Sequence, residues 1–327
     1  MIRGLWVKNF KSLRDLLLDC RRVNVFIGRP NTGKSNILEV IGLLGHLYYG
    51  GLKSFVRYED LSNLFYDQDL SNNIVVDVEL LDSKYRLKIT HRDGLLNGYL
   101  KKGETSNSER EVFSYDFKGS GGRSIIPEFR VFKLYRFTAR DKFSSKESGS
   151  LLPPHGDNLL SVIMGNKGIR RLVRNILAEY GLRLVLKPVE NKIEFEKEID
   201  DIVISYPYSL LSDTLQRIIF HLVAIESNKD SIIAFEEPEA HAFPYYTKFL
   251  AERIALDKNN NQYFISTHNP YFLLSLIEKT PLDDLVVFIT YYEDYQTKVK
   301  PLSKEEIERI LDLGSDVFFN IESFIRG

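Results

Sequence analysis

Residues 28 to 35 read GRPNTGKS and fit the spacing G-x-x-x-x-G-K-[ST], between the apolar run VNVFI and a segment, Asn36 to Leu47, with Ile37, Leu38, Ile41 and Leu44 at helical spacing. Gly28 and Gly33 allow the backbone to wrap so that successive N–H groups converge on phosphate oxygens at the positive end of the following helix. Arg29, Pro30, Asn31 and Thr32 fill the loop and Asn36 follows it. Lys34 supplies a cation for the β- and γ-phosphates, and the Ser35 hydroxyl a ligand for Mg²⁺. A strand, a glycine loop and a helix in that order imply a purine triphosphate with Mg²⁺.

Such a loop does not separate kinases, GTPases and ATPases, so the acids elsewhere must decide. In SIIAFEEPEAHAFP a buried-strand pattern runs into Glu236 and Glu237, at the carboxyl end where open α/β sheets bind ligands. Glu236 there suits Mg²⁺ and Glu237 suits activation of water. The same residues, taken alone, fit a surface turn. In QYFISTHNPYFL, Thr267 and His268 close another buried strand and Pro270 opens a helix. A strand-end histidine by itself is more often structural, and His268 gains weight from its order after the loop and the glutamates.

The elements that must position these groups alternate in kind. Residues 2 to 8, 15 to 18 and 23 to 27 read as strands. From 73 to 137 the pattern turns to period two, with NIVVDVELL, KYRLKITH, GYLKK, EVFSYDF and EFRVFKLYRF, and with turn signals at Asp93-Gly94 and Asn97-Gly98. GSGG at 119 to 122 reads as a hairpin tip. Residues 138 to 157 read as a connecting loop, 158 to 180 as helix, 182 to 205 as short strands, and the last third as α/β again. The expected organisation is one split domain over 1 to 327, with an α/β core from 1–50 and 205–327, a β insertion at 51–137 and a helical and β lobe at 138–204. With 327 residues and 43% hydrophobic content the chain fills a sizeable core. Lys plus Arg at 44 against Asp plus Glu at 45 leaves a formal charge of −1, so any nucleic-acid or membrane contact must be a local patch. The single cysteine, Cys20, has no internal disulfide partner, and no apolar run reaches the ~20 residues of a membrane span, which points to a cytoplasmic protein without membrane contact.

At these residues the chain resembles the ABC-type P-loop ATPases of the SMC and RecF kind, and among them the ATPase domain of the OLD (overcoming lysogenization defect) family. LWVKNFKSLRDLLLD is similar to the family's opening strand and turn, GRPNTGKSN to its phosphate loop, FEEPEAHAFP to its Walker B segment and STHNPYFL to its histidine switch. The resemblance implies an α/β fold with a mostly parallel core sheet, an inserted antiparallel meander and a small helical lobe. It implies hydrolysis of ATP with Mg²⁺, with Gly28, Asn31, Gly33, Lys34 and Ser35 on the phosphates, Ser35 and Glu236 on the metal, Glu237 as base and His268 sensing the γ-phosphate. It also implies a homodimer closed through nucleotide, in which Ser212 of YSLLSDTLQ caps ATP held by the other copy.

Thr214 stands where that family has glycine, Glu236 where aspartate is usual, and Gln68 is the one nearby glutamine for its Q-loop although its segment reads as a polar turn. Lys11 matches a basic residue that approaches nucleotide in relatives and reads locally as a surface lysine. Long coiled-coil arms are missing, and the stretch after His268 is too short for the TOPRIM nuclease of fused relatives. Lys167, Arg170, Arg171 and Arg174 share one helix face, as a DNA contact or as a solvated surface. The leading expectation is an ATPase of DNA maintenance or defence against mobile elements. The alternatives are an ATP-held switch subunit of a partner nuclease or toxin, a transporter motor and, least fitting, a small-molecule kinase.

Overall fold

The strands expected at 2 to 8 and 15 to 18 form an antiparallel pair, β1 (Ile2–Phe10) and β2 (Leu13–Asp19), around a tight turn with Lys11 at φ 50°. In the computed structural model, residues 1–103 and 109–325 are described; the expected β insertion and α/β core also include 104–108 and 326–327, which lie outside the described residues. The wholly buried β3 (Val23–Gly28) follows, then α1 (Lys34–Tyr49) and the short α2 (Leu52–Phe55). β4 (Ile74–Leu80), β5 (Lys84–Arg92), β6 (Leu95–Lys102), β7 (Arg110–Tyr115) and β8 (Gly121–Arg123) form the meander, and β9 (Phe132–Tyr135) comes after a 3₁₀ turn at Pro127–Val131. Next come α3 (Leu159–Gly165), α4 (Lys167–Ala178), β10 (Arg183–Lys187), β11 (Lys192–Ile199), β12 (Ile202–Pro207) and α5 (Asp213–Ser227). The chain closes with β13 (Ile232–Glu236), α6 (Pro244–Ala255), β14 (Gln262–Ser266), α7 (Pro270–Lys279), β15 (Leu285–Glu293), β16 (Gln296–Pro301), α8 (Lys304–Leu313) and α9 (Ile321–Ile325).

These elements form two compact units. The first draws on Met1–Leu134, Asp230–Glu237 and Asn261–Gly327, the second on Tyr135–Lys229 and Pro238–Asn260. In the first unit a six-stranded sheet has the order β16-β15-β3-β14-β13-β9, with β13, β14, β3 and β15 parallel to one another and β16 antiparallel at one edge. Strand β3 is buried throughout because it is central and covered on both faces, and its one polar side chain, Asn24, donates to the carbonyls of Arg21 at 2.8 Å and Tyr263 at 2.9 Å. A seven-stranded antiparallel sheet, β2-β1-β4-β5-β6-β7-β8, completes this unit, so β1 and β2 extend the meander. Buried Gln262 stitches the sheets together: it accepts from the Ile2 N–H at 2.7 Å and donates to the carbonyls of Ile2 and Arg21, both at 2.7 Å.

The second unit carries helices α3 to α6 and the antiparallel sheet β10-β11-β12. The helix expected over 158 to 180 is broken at Asn166, whose side chain leaves α3 and accepts from the N–H groups of Gly168 and Ile169 to cap α4. No helix among the described residues is long and apolar enough to cross a membrane.

Two local expectations are corrected. Asp93-Gly94 does close the β5–β6 hairpin, at φ 53° and 76°, but Asn97-Gly98 lies inside β6. Gly98 faces Phe113 of β7, whose ring fills the space a Cβ would need, and Ser114 donates to Asn97 Oδ1 at 2.7 Å. EFRVFKLYRF is not a meander strand. Pro127 cannot donate to a ladder, Pro127–Val131 coils as a 3₁₀ turn, and the fully buried Phe132–Tyr135 joins the edge of the core sheet.

Helix α1 positions the site and is almost entirely buried, packing on β13, β14 and the Pro127–Val131 turn. Two glycines in mid-helix make this approach possible. A Cβ on Gly42 would lie 2.9 Å from Leu134 Cδ2, and one on Gly45 would lie 2.6 Å from the Phe132 carbonyl oxygen. Gly45→Ala gains about 1 kcal/mol of helix propensity but overlaps rigid backbone. The expected result is a net loss of roughly 1–2 kcal/mol in urea unfolding; an unchanged or raised midpoint would contradict this packing.

A candidate nucleotide site

Gly28 ends β3 at φ 153° and Gly33 caps α1 at φ 91°, with Asn31 between them at φ 61°. A Cβ on Gly28 would overlap the carbonyl and hydroxyl of Thr290, and one on Gly33 would overlap the Thr297 hydroxyl. The loop is therefore pressed against β15 and β16, and only glycine fits at both contacts. Inside it, Lys34 Nζ donates to the carbonyls of Gly28 at 3.0 Å and Arg29 at 2.7 Å, which folds the side chain back over the loop. Thr32 Oγ1 donates to the Arg29 carbonyl at 2.9 Å and meets Thr290 Oγ1 at 2.7 Å. Asn36 donates to Ser12 Oγ at 2.7 Å, and Ser12 meets Thr297 Oγ1 at 2.7 Å. The Arg29 side chain pairs with Glu322 at 2.7 Å.

Strand ends bring the acids and the histidine to this loop. The Ser35 hydroxyl donates to Glu236 Oε1. Glu237 sits at φ 45°, a strained conformation of the sort that gathers at functional sites, and its N–H reaches the Ser266 carbonyl at 3.0 Å. His268 Nε2 lies 3.7 Å from Glu237 Oε1. Pro30, Asn31, Thr32, Gly33, Lys34, Ser35, Asn36, Glu237 and His268 all line one open cleft of about 770 Å³. Ser212 belongs to the second unit, where it caps α5 by accepting from the Leu215 N–H at 3.4 Å. Thr214, in the same turn, donates to the His241 carbonyl at 2.6 Å.

The structure adds residues that the sequence reading passed over. Glu39 is fully buried in α1, which no isolated carboxylate tolerates, and it pairs with Lys11 and with Arg57 Nε at 2.7 Å. Arg57 reaches on to Glu236 Oε1 at 3.5 Å. Lys11 is thus no surface lysine: only 12% of its side chain is exposed, and it also donates to the Arg57 carbonyl at 2.6 Å. A lone acid in the apolar helix segment NILEVIGLL was the available signal for this network. Gln68 lies exposed in a 3₁₀ turn and is not among the residues lining the cleft.

Electrostatics follow from this crowding. Burial pushes Lys34 down to about 8, against the pull of Glu237 and Glu236. Burial and then Lys34 hold His268 below its usual range, with Glu237 opposing. Burial disfavours the Arg57 charge, but Glu236 and Glu39 together hold its proton more firmly than usual.

A parallel sheet with a glycine loop at the carboxyl end of its central strand β3, a histidine just past the end of the adjacent β14 and paired acids at the end of β13 defines a P-loop ATPase of ABC type. The chain belongs to the AAA ATPase domain family, whose model matches residues 1–207. A second AAA-domain model, whose description names the AbiEii toxin and a Type IV TA system, matches residues 164–275. A Helicobacter pylori protein named ATP/GTP phosphatase is 22% identical over 329 residues, spanning 84% of this chain and 86% of that one. Among solved structures, an SmcHead bound to the C-winged helix domain of ScpA matches with a TM-score of 0.60 at 16% identity, over 94% of this chain and 99% of that one. An Smc head domain with an extended coiled coil, bound to the C-terminal domain of ScpA derived from Pyrococcus furiosus, matches with a TM-score of 0.60 at 14% identity, over 95% and 98%. These two share the fold of this chain.

The depressed Lys34 makes a signed prediction. Between about 8 and its ordinary value of 10.5 the unfolded chain binds a proton that the folded chain does not, so this lysine's contribution to stability improves as pH rises through that window. Phosphate in the loop favours the charged form. ATP binding should therefore take up a proton at pH 9, take up far less at pH 7, and weaken as pH rises through about 8. Calorimetry in buffers of different ionisation enthalpy reads this directly, and Lys34→Arg should remove the uptake. Equal uptake in that variant would contradict the assignment.

Proposed function

We propose that this ATPase cleaves the γ-phosphate of ATP with Mg²⁺ at the loop of residues 28–36, and that two copies pair through the nucleotide. The carrying observation is that Glu237 and His268, 3.7 Å apart, line the same cleft as Lys34 and Ser35. Backbone N–H groups of the loop and Lys34 hold the phosphates. Ser35 Oγ and Glu236 Oε1 already meet, and two hard oxygen donors on the loop and a strand end fit Mg²⁺. When bound, the ion neutralises charge on the β- and γ-phosphates. Glu237 orients a water and accepts its proton as the oxygen attacks phosphorus and the bond to ADP breaks. His268, held toward its neutral form, keeps a hydrogen-bonding face for the γ-phosphate without adding a cation to Lys34.

Pairing is supported by the likeness to Smc heads and by Ser212, whose place at the start of α5 matches the segment that caps the partner's ATP in the family it resembles. We place its role in DNA maintenance or in defence against mobile elements. The toxin and TA system named in the second family model support the defence side, and the cationic face of α4 supports contact with DNA. A second reading, an ATP-held switch subunit of a partner nuclease or toxin, is favoured by Thr214. Its side chain is engaged with His241 at the position where the family has glycine.

Phosphate release from Mg-ATP, followed over a wide range of protein concentration with Glu237→Gln as blank, tests this reading. The specific rate should climb with concentration, and Glu237→Gln should fall by at least about 100-fold while still binding ATP. Wild-type turnover in Glu237→Gln would show that the base lies elsewhere. A concentration-independent rate would remove the pairing.

A further inference from the structure

We propose that Tyr292, on the β15–β16 hairpin, is the platform on which the nucleotide base stacks, an inference that rests on the phosphate site above. The cleft that holds Glu237 and His268 is also lined by Ser12, Asn36 and Tyr292. Asn36, one residue past Ser35, bonds Ser12, Ser12 bonds Thr297, and Thr297 is the cross-strand partner of Tyr292. Cross-strand partners share a face of the sheet. Thr297 turns its hydroxyl to Gly33, so the Tyr292 side chain stands on the face that meets the loop, and it lines the cleft.

The ring is both available and held. Tyr292 is 52% exposed, too open for a core aromatic, and its hydroxyl donates to the Tyr295 carbonyl at 2.8 Å. Tyr66 donates to the same carbonyl at 3.1 Å. That carbonyl belongs to a two-residue turn, Asp294 at φ 47° and Tyr295 at φ 59°, in which a bulky residue takes a conformation usually left to glycine. Two tyrosine hydroxyls thus brace a strained turn and fix the orientation of a half-exposed ring beside the phosphate loop. Ser12 and Thr297 meanwhile spend their hydroxyls on each other. An aromatic face reads the π-surface of a base and not its edge, so adenine and guanine are both accepted.

The test compares the affinities of ATP, GTP and inorganic tripolyphosphate, which lacks a base, for the wild-type chain, Tyr292→Ala and Tyr292→Phe. ATP and GTP should bind the wild type within about threefold of each other and about tenfold or more above tripolyphosphate. Tyr292→Ala should lose that advantage while tripolyphosphate binding stays unchanged, and Tyr292→Phe should keep most of it. An undiminished advantage in Tyr292→Ala, or strong rejection of GTP by the wild type, would overturn the platform while leaving the phosphate site standing. Failure of the wild type to bind either ATP or tripolyphosphate would instead remove the phosphate site itself.

Discussion

Gly28 and Gly33 run so close to β15 and β16 that neither position has room for a Cβ, and this contact between a loop and a hairpin shapes the rest of the site. Because the loop is pressed inward there, its carbonyls at 28 and 29 face Lys34, and α1 begins at a glycine with no side-chain cap. Helix N–H groups normally satisfied by a serine or aspartate are left for a ligand. The same inward press brings Ser35 to the end of β13, where Glu236 waits. On the proposed reading, a phosphate would supply the acceptor that this cap lacks.

Charge is handled with similar economy. A buried carboxylate costs several kcal/mol unless it is paired, and Glu39 is paired on both oxygens, by Lys11 and by Arg57. Arg57 then extends to Glu236, so one chain of ion pairs links the interior of α1 to the acid at the end of β13. This network ties the β1–β2 turn, the segment after α2 and the core strand to a single arrangement. The site also keeps Glu237 and His268 outside that network, half-exposed and near each other. Glu39 and most of Lys11, at the inner end of the network, are buried, while Arg57 carries it out toward the cleft.

What could be read from the sequence follows from how far the interactions reach along it. GRPNTGKS is read from a few adjacent residues, because a phosphate loop is a local turn whose glycines and lysine act on the same ligand. FEEPE and STHNP are also local, each a buried strand ending in polar groups. Arg57 was not legible, since its segment has no period and its meaning depends on an acid 18 residues away. Thr297 and Tyr292 were less so, because they matter only through a hairpin that meets Ser12 across 285 residues of chain. Asn97-Gly98 shows the opposite error, where strong local turn chemistry is overruled by Phe113 packing into the glycine's empty side. Residues 132 to 135 were read as strand correctly but assigned to the wrong sheet, and their burial on both faces was the missed clue.

The central claim is that the loop between β3 and α1 holds nucleotide phosphates and that Lys34 is the cation inside it. Titration of a non-hydrolysable ATP analogue into the wild-type chain and into Lys34→Ala, with Mg²⁺ present, tests it most directly. The account predicts saturable binding by the wild type and a loss of at least about tenfold in the variant, as expected for removing a charged hydrogen-bond donor from a buried phosphate site. Equal affinities in the two proteins, with both still folded, would contradict it.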